Sequence, residues 1–356
     1  MTTESTIDLS WIVSLADFEA VAAERMEPAA FGYVAGGSWD EITLAENVEA
    51  WRRYRLRPRM LRDVRSVDVS GSFLGRRAAL PVAVAPMAVQ ALAHPDGELA
   101  MAAAAAAAGI PYCLSTTSSR SIEEVAAAIA GAEWWFQLYL VADLGFTRSL
   151  VERAAAAGAR AIVLTVDLPV LAYRERDRRS GFELPPLANL VEAEGAARGR
   201  YGGIEDQRAL GLTWADLEAI KGWSDLPLVL KGILTAEDAR LSVEAGATAV
   251  VVSNHGARQL DRVPAAVDVL EEIAQAVGGQ VEVWVDGGVR RGLDVLIARA
   301  LGATGVLIGR PFFWALAAGG QAGVERAIAI LREELELALP LLGVASLGEI
   351  GRGHVR

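Results

Sequence analysis

From residue 80 onward, short apolar runs alternate with longer Ala-rich stretches of helical period. Each run ends on a polar residue or glycine, and most of the stretches close on a glycine suited to a left-handed C-terminal conformation. The runs predict eight strands, at Leu80–Pro86, Ile110–Ser115, Trp134–Tyr139, Ala161–Val166, Leu226–Leu230, Ala249–Ser253, Val281–Asp286 and Gly305–Gly309. The stretches predict helices at Gly97–Ala108, Ser121–Ala130, Asp143–Ala157, Trp214–Lys221, Ala236–Ala245, Pro264–Val277, Arg291–Ala300 and Pro311–Ala317. An Ala-Gly-Ala or Leu-Gly-Ala junction recurs at Ala157–Ala159, Ala245–Ala247 and Leu301–Ala303, a weak repeat of one supersecondary unit. Largely apolar runs suit strands covered on both faces, and eight of them match closure of a parallel sheet. The expected fold is α/β, a (β/α)8 TIM barrel over 80–320 within one domain spanning 1–356. A helical preamble is expected over 1–79, with helices at Ser14–Glu24, Pro28–Ala35 and Glu41–Ala50, and a C-terminal helix (Gly323–Leu339) and tail over 321–356. The polar, irregular stretch 168–212 reads as a lid, because compact domains rarely keep loops of that length without a use.

Composition narrows the partners. With 34 Lys plus Arg against 45 Asp plus Glu, the net charge is −11, so nucleic acid and anionic membrane surfaces are excluded as partners. Mean hydropathy is +0.29, yet the longest apolar stretches are cut by Pro81, Pro86, Gly109 and Pro111 and fall short of the ~20 residues of a membrane span. Cys113 stands alone, which fits a reducing, cytoplasmic setting and removes thiolate metal clusters. No His-rich or acidic cluster has ligand spacing, so no metal is expected.

Barrels of this type place their chemistry at the carboxyl ends of the strands. Those ends hold Pro86-Met87-Ala88, Ser115-Thr116, Gln137-Leu138-Tyr139, Thr165-Val166-Asp167, Lys231-Gly232, Ser253-Asn254-His255-Gly256, Asp286-Gly287-Gly288 and Gly309-Arg310-Pro311. So many polar groups would be costly in a plain core and suit a ligand rimmed by hydrogen bonds. After strands seven and eight, Asp286-Gly287-Gly288-Val289-Arg290 and Gly309-Arg310-Pro311 combine glycines, arginines and a helix start, a phosphate-binding arrangement; the plain alternative is two tight turns with solvated arginines. His255 ends a strand with Arg258 three residues on, so a base for a hydroxyl proton stands beside a cation for a carboxylate, as oxidation of a 2-hydroxy acid requires. Lys231 reads either as a Schiff-base lysine or as a charge stabilising an electron-rich ring. Asp167 reads as support for an imidazolium or as a helix cap.

These residues together resemble the FMN-dependent 2-hydroxy-acid oxidases and dehydrogenases, a family that includes glycolate, lactate and mandelate oxidising enzymes. The most specific matches are Ser253-Asn254-His255-Gly256-Ala257-Arg258-Gln259-Leu260-Asp261, Asp286-Gly287-Gly288-Val289-Arg290-Arg291-Gly292 and Gly309-Arg310-Pro311; Phe136-Gln137-Leu138-Tyr139 and Ala35-Gly36-Gly37 are weaker. The resemblance implies FMN as cofactor, with Pro86, Met87, Ala88, Ser115, Gln137, Thr165, Lys231 and Ser253 around its ring and ribityl chain. Asp286, Gly287, Gly288, Val289, Arg290, Gly309 and Arg310 would hold the ribityl and phosphate end. It implies Lys231 as a charge at the ring rather than a Schiff base. Arg174 and Arg258 would clamp the substrate carboxylate, Tyr33 and Tyr139 bond its oxygens, His255 accept the hydroxyl proton and Asp167 support it, while the C2 hydrogen passes to the flavin. A small-molecule (S)-2-hydroxy acid as substrate, O2 as oxidant and a homotetramer are further expectations from the resemblance. Thr117 stands where glycolate oxidases carry a bulky Trp, and Met87 where they carry Thr, which hints at a wider pocket and an aromatic, mandelate-like acid, with an acceptor-linked dehydrogenase as the alternative. An FMN-barrel isomerase, a non-catalytic flavin protein and a lysine-dependent aldolase are the competing classes.

Overall fold

The computed structural model describes residues 8–141, 143–190 and 212–356. The chain opens with α1 (Asp17–Arg25), α2 (Pro28–Ala35) and α3 (Ile42–Glu49), close to the expected preamble helices. Pro28 starts α2 at the position where a missing N–H costs nothing, and the Glu27 carboxylate accepts from the Ala30 N–H at 2.9 Å. The preamble is not helical throughout, however. An antiparallel hairpin, β1 (Gly71–Phe73) and β2 (Arg76–Ala78), precedes the barrel. Its tight turn at Leu74 and Gly75, both at positive φ, was not anticipated, because three-residue strands show too little alternation to read.

All eight predicted barrel strands form: β3 (Val82–Val84), β4 (Tyr112–Ser115), β5 (Trp134–Leu138), β6 (Ile162–Thr165), β7 (Leu228–Ile233), β8 (Ala249–Val252), β9 (Glu282–Val285) and β10 (Gly305–Ile308); seven are shorter than expected, whereas β7 starts two residues later and runs three residues further, taking in Lys231 and Gly232. They pair in parallel in chain order, and β10 closes on β3. Between them lie α4 (Glu98–Ala108), α5 (Ile122–Ala128), α6 (Leu144–Ala156), α7 (Glu175–Ser180), α8 (Leu217–Lys221), α9 (Ala236–Glu244), α10 (Ala266–Val277) and α11 (Gly292–Ala300). Polar caps start several of them: Ser121 and Glu124 make a reciprocal capping box on α5, and Asp143 and Thr235 accept from the backbone of α6 and α9. The two helices expected after β10 form one element, α12 (Arg310–Leu342), broken in conformation at Gly319 and Gly320. Helix α7 and residues up to 190 occupy the first half of the expected lid; the part of it at 191–211 lies outside the described residues.

Strand residues alternate between two cores. Tyr112, Leu114, Phe136, Ile162, Leu164, Leu228, Leu230, Val250 and Val252 pack outward with the helices. Ala83, Cys113, Trp135, Val163, Val229, Val251, Trp284 and Leu307 fill the interior with Phe73 of the hairpin. Trp135 and Trp284 stack at 4.7 Å, and Phe73 lies 5.4 and 5.3 Å from them. Gly305 admits this plug, since a Cβ there would lie 2.2 Å from the Phe73 ring. An apolar interior capped by aromatic rings leaves the carboxyl ends of the strands as the place for polar chemistry.

Candidate active site

The strand ends carry two chains of hydrogen-bonded, buried polar side chains. Ser115 Oγ donates to Gln137 Oε1 at 3.0 Å, and Gln137 Nε2 donates to Thr165 Oγ1 at 3.0 Å. Lys231 Nζ donates to Ser253 Oγ at 3.0 Å and pairs with Asp286 Oδ2 at 3.2 Å. Burial works against the ammonium charge, but Asp286 and Asp167 outweigh it and hold the Lys231 pKa above the ordinary lysine value. A lysine held charged is a poor amine nucleophile, which disposes of the Schiff-base reading.

His255 opens the turn that follows β8, where His255, Gly256 and Ala257 all take left-handed φ, at 59°, 61° and 62°. Two consecutive hydrogen-bonding residues brace that turn: Ser253 Oγ accepts from the His255 N–H at 3.0 Å, and Asn254 Oδ1 accepts from the Ala257 N–H at 3.1 Å. Asn254 also exchanges amide bonds with Asn47 of α3, at 2.9 and 2.7 Å, so the preamble holds the turn from outside the barrel. Asp167 Oδ1 lies 2.7 Å from His255 Nδ1, and the Tyr139 hydroxyl lies 3.2 Å from His255 Nε2. Burial lowers the His255 pKa, Asp167 opposes this, and Lys231 and Arg174 add to the lowering. The Asp167 carboxyl is raised by burial but drawn below its ordinary value by His255 and Lys231. The pair is therefore a neutral imidazole on a carboxylate, with Nδ1 donating to Asp167 and Nε2 left as the acceptor.

Four arginines, Arg174, Arg258, Arg290 and Arg310, line the same cleft. Arg258 Nη1 donates to the carbonyls of Tyr33 at 2.5 Å and Gly36 at 3.0 Å, and its guanidinium lies 4.6 Å from the centre of the Tyr33 ring. Arg174 Nε donates to the Arg258 carbonyl at 3.2 Å. Arg310 donates to Val34 and Gly36 carbonyls at 2.9 and 2.8 Å, and Arg290 lies 5.6 Å from the Trp314 ring centre. Burial, followed by the neighbouring Arg258, Arg290 and Arg174, pulls the Arg310 pKa well below the arginine range, and burial lowers Arg290 as well. Such crowding of like charge calls for an anion.

The cleft fits FMN. Asp286 Oδ1 is buried without a hydrogen-bond partner among the described residues, a free acceptor where a ribityl hydroxyl would donate. Gly287 and Gly288 take φ of 93° and 79°, and a Cβ on Gly288 would lie 1.7 Å from the Asn47 carbonyl oxygen, so only glycine lets this loop pass beneath α3. Trp51 Nε1 fixes it by donating to the Gly287 carbonyl at 2.9 Å. The loop, the start of α12 at Gly309 and Arg310, and Arg290 offer amides and charge to a phosphate. The cleft is partly open to solvent and is lined from both the strand ends and the segment after β6.

Of the predicted residues, Tyr33, Pro86, Met87, Ala88, Ser115, Tyr139, Thr165, Arg174, Lys231, His255, Arg258, Asp286, Gly287, Gly288, Val289, Arg290, Gly309 and Arg310 line the cleft. Gln137, Ser253 and Asp167 sit one layer behind, bonded to residues that do. Sequence reading missed Asn47, Trp51 and the carbonyls of Tyr33, Val34 and Gly36, whose partners lie more than 200 residues away along the chain. Leu168, Leu171 and Leu184 also line the cleft, from within the expected lid. Among the described residues no group of three or more His, Cys, Asp or Glu side chains is placed to hold a metal, and no helix is long and apolar enough to cross a membrane.

Comparison with known proteins agrees with this geometry. Residues 22–356 match the model of the FMN-dependent dehydrogenases. The chain is 50% identical to an L-lactate oxidase of Nostoc sp. over 351 residues, covering 95% of this chain and 96% of that one. It is 46% identical to glycolate oxidase 1 of Zea mays, covering 97% and 95%. A solved structure of mandelate oxidase with (S)-4-hydroxymandelic acid superposes with a TM-score of 0.89 at 49% identity, covering 94% of this chain and 96% of that one. The chain thus belongs to the FMN-dependent dehydrogenase family, as a flavin-dependent oxidoreductase acting on 2-hydroxy acids.

Proposed function

We propose that this chain oxidises an (S)-2-hydroxy acid to the 2-oxo acid with His255 as the base. The observation that carries the reading is the His255 imidazole held neutral between Asp167 and Tyr139, in a cleft that also gathers Arg174 and Arg258. Arg258 and Arg174 bind and orient the substrate carboxylate by charge-assisted bonds, and the Tyr33 and Tyr139 hydroxyls bond its oxygens. With Nδ1–H directed to Asp167, Nε2 takes the proton of the C2 hydroxyl, and the carboxylate stabilises the imidazolium so formed. Bound FMN supplies the two-electron acceptor that takes the C2 hydrogen with its electron pair. Lys231, paired with Asp286, would supply a positive charge to the flavin, and Asp286, Arg290 and Arg310 would hold its ribityl and phosphate end.

Oxygen as the final oxidant follows from the likeness to oxidases; the alternative is an acceptor-linked dehydrogenase. Met87, Thr117, Leu168, Leu171 and Leu184 give the cleft a small-residue and apolar wall, which supports an acid with an apolar side chain, aromatic ones included. A cytoplasmic homotetramer completes the reading, supported by the acidic charge, the single buried cysteine and the family resemblance. Airless titration of the purified protein with glycolate, L-lactate and (S)-mandelate, followed by air, tests the reading. Bleaching of the yellow colour by at least one acid and its return in air are expected; a protein no acid bleaches would refute the proposal.

A further inference from the structure

Gln259 directly follows Arg258 and has no part in the chemistry assigned above. It is 7% exposed, and its side-chain amide donates to two backbone carbonyls, those of Asp167 and Val170, each at 2.9 Å. Its own carbonyl accepts from Ser38 Oγ, and the Ser38 N–H donates to the Ala257 carbonyl at 3.0 Å. One amide group thereby ties the segment after β6, which carries Asp167 and leads to Arg174, to the turn after β8, which carries His255 and Arg258. Carbonyls in irregular chain lack ladder partners and need such a donor.

The side chain of Asp167 is otherwise lightly held. Oδ1 meets His255, whereas Oδ2 is buried with no hydrogen-bond partner among the described residues. Behind it stands Gly232 at φ 114°, where a Cβ would lie 2.7 Å from both Cβ and Cγ of Asp167. The aim of the carboxylate therefore comes from its backbone, and its room comes from a glycine. We propose that Gln259 is the positioning residue of the Asp167–His255 pair, setting the carboxylate against the imidazole by anchoring the Asp167 and Val170 carbonyls. The proposal rests on the reading of His255 as base.

The test compares holoenzyme of four sequences, the natural chain, Gln259→Met, Asp167→Asn and the double variant, by airless reduction with L-lactate and (S)-mandelate across pH. Gln259→Met keeps the length and loses the donor. It is expected to stay yellow, to lose about 10²-fold in reduction rate, as small misplacements of catalytic groups do, and to move the acid limb of the rate profile to lower pH, as Asp167→Asn does. On the Asp167→Asn background it is expected to cost nothing further, because coupled residues are not additive. A natural rate in Gln259→Met, or equal loss on both backgrounds, overturns the proposal. If Gln259→Met yields no yellow protein, Gln259→Asn decides: its shorter amide cannot reach both carbonyls, so the acid limb must shift, and an unshifted limb overturns the proposal. Failure of the underlying reading looks different, since Asp167→Asn itself would then reduce at the natural rate.

Discussion

Arg258 and Arg310 donate to one acceptor, the carbonyl oxygen of Gly36, at 3.0 and 2.8 Å. The end of α2 thus holds side by side the guanidinium assigned to the substrate carboxylate and the one assigned to the cofactor phosphate. Each also reaches a second carbonyl of the same helix end, Tyr33 for Arg258 and Val34 for Arg310. The unsatisfied carbonyls of a helix C-terminus are a favourable place for cations. They fix both arginines while leaving donors for anions in the cleft.

Arg310→Met should weaken FMN binding by ~2–5 kcal/mol, the usual cost of breaking a buried charge pair, and leave riboflavin binding much less affected. Fluorescence titration of flavin-free protein with the two flavins checks this. Equal weakening for both would move the phosphate away from Arg310.

His255→Gln should remain yellow, with flavin reduction slowed by about 10²–10⁴-fold or more, the scale of lost general-base catalysis. Stopped-flow reduction by the acid that bleaches the natural protein is the measurement. Near-natural reduction would remove His255 from its role.

The sign of the pH dependence follows from the lowered His255 pKa. The base works when neutral, so kcat/KM should hold through neutral pH and fall only as pH drops below the ordinary value of 6.5. Asp167 raises the His255 pKa, so Asp167→Asn should shift that fall to still lower pH while slowing the reaction. An acid limb centred above 6.5 would contradict the burial of this imidazole.

Arg258→Met should raise KM for carboxylate substrates far more than it changes the retention of FMN, with a loss in binding of ~2–5 kcal/mol. Competitive binding of the 2-oxo acid product gives an independent measure. Unchanged affinity would leave the clamp to other residues.

Thr117 is buried, lines the cleft and accepts or donates to Ser115 Oγ at 2.9 Å. Thr117→Trp should fill this wall and shift preference from mandelate toward glycolate, by about 10-fold or more in the kcat/KM ratio if a few methylene equivalents are excluded. A ratio that does not move would show that the acid's side chain lies elsewhere.

Much of this molecule is legible in its sequence. The apolar runs from Leu80 to Gly309 and the Ala-rich stretches between them depend on neighbours only a few residues away, and all eight strands appear where alternation put them. The hairpin at Gly71–Ala78 escaped because its strands are three residues long, and its Phe73 declares its role only on meeting Trp135 and Trp284 inside the barrel. Asn47 and Asn254 escaped because their amides meet across 207 residues of chain, a separation no periodicity reports. Strand-end position alone left Lys231 open between two readings; the family resemblance favoured the charged one, and its ion pair with Asp286 agrees.

By itself, the sequence determined the order of strands and helices and the kinds of groups at the strand ends, since backbone pattern and side-chain chemistry are local properties. The tertiary structure alone decided that burial lowers the His255 pKa while Asp286 and Asp167 raise that of Lys231, that Arg258 and Arg310 share the Gly36 carbonyl, and that Gln259 donates to the backbone of Asp167. Burial, like-charge crowding and hydrogen-bond supply are set by which distant segments close around a group, and they come into being only when the barrel closes.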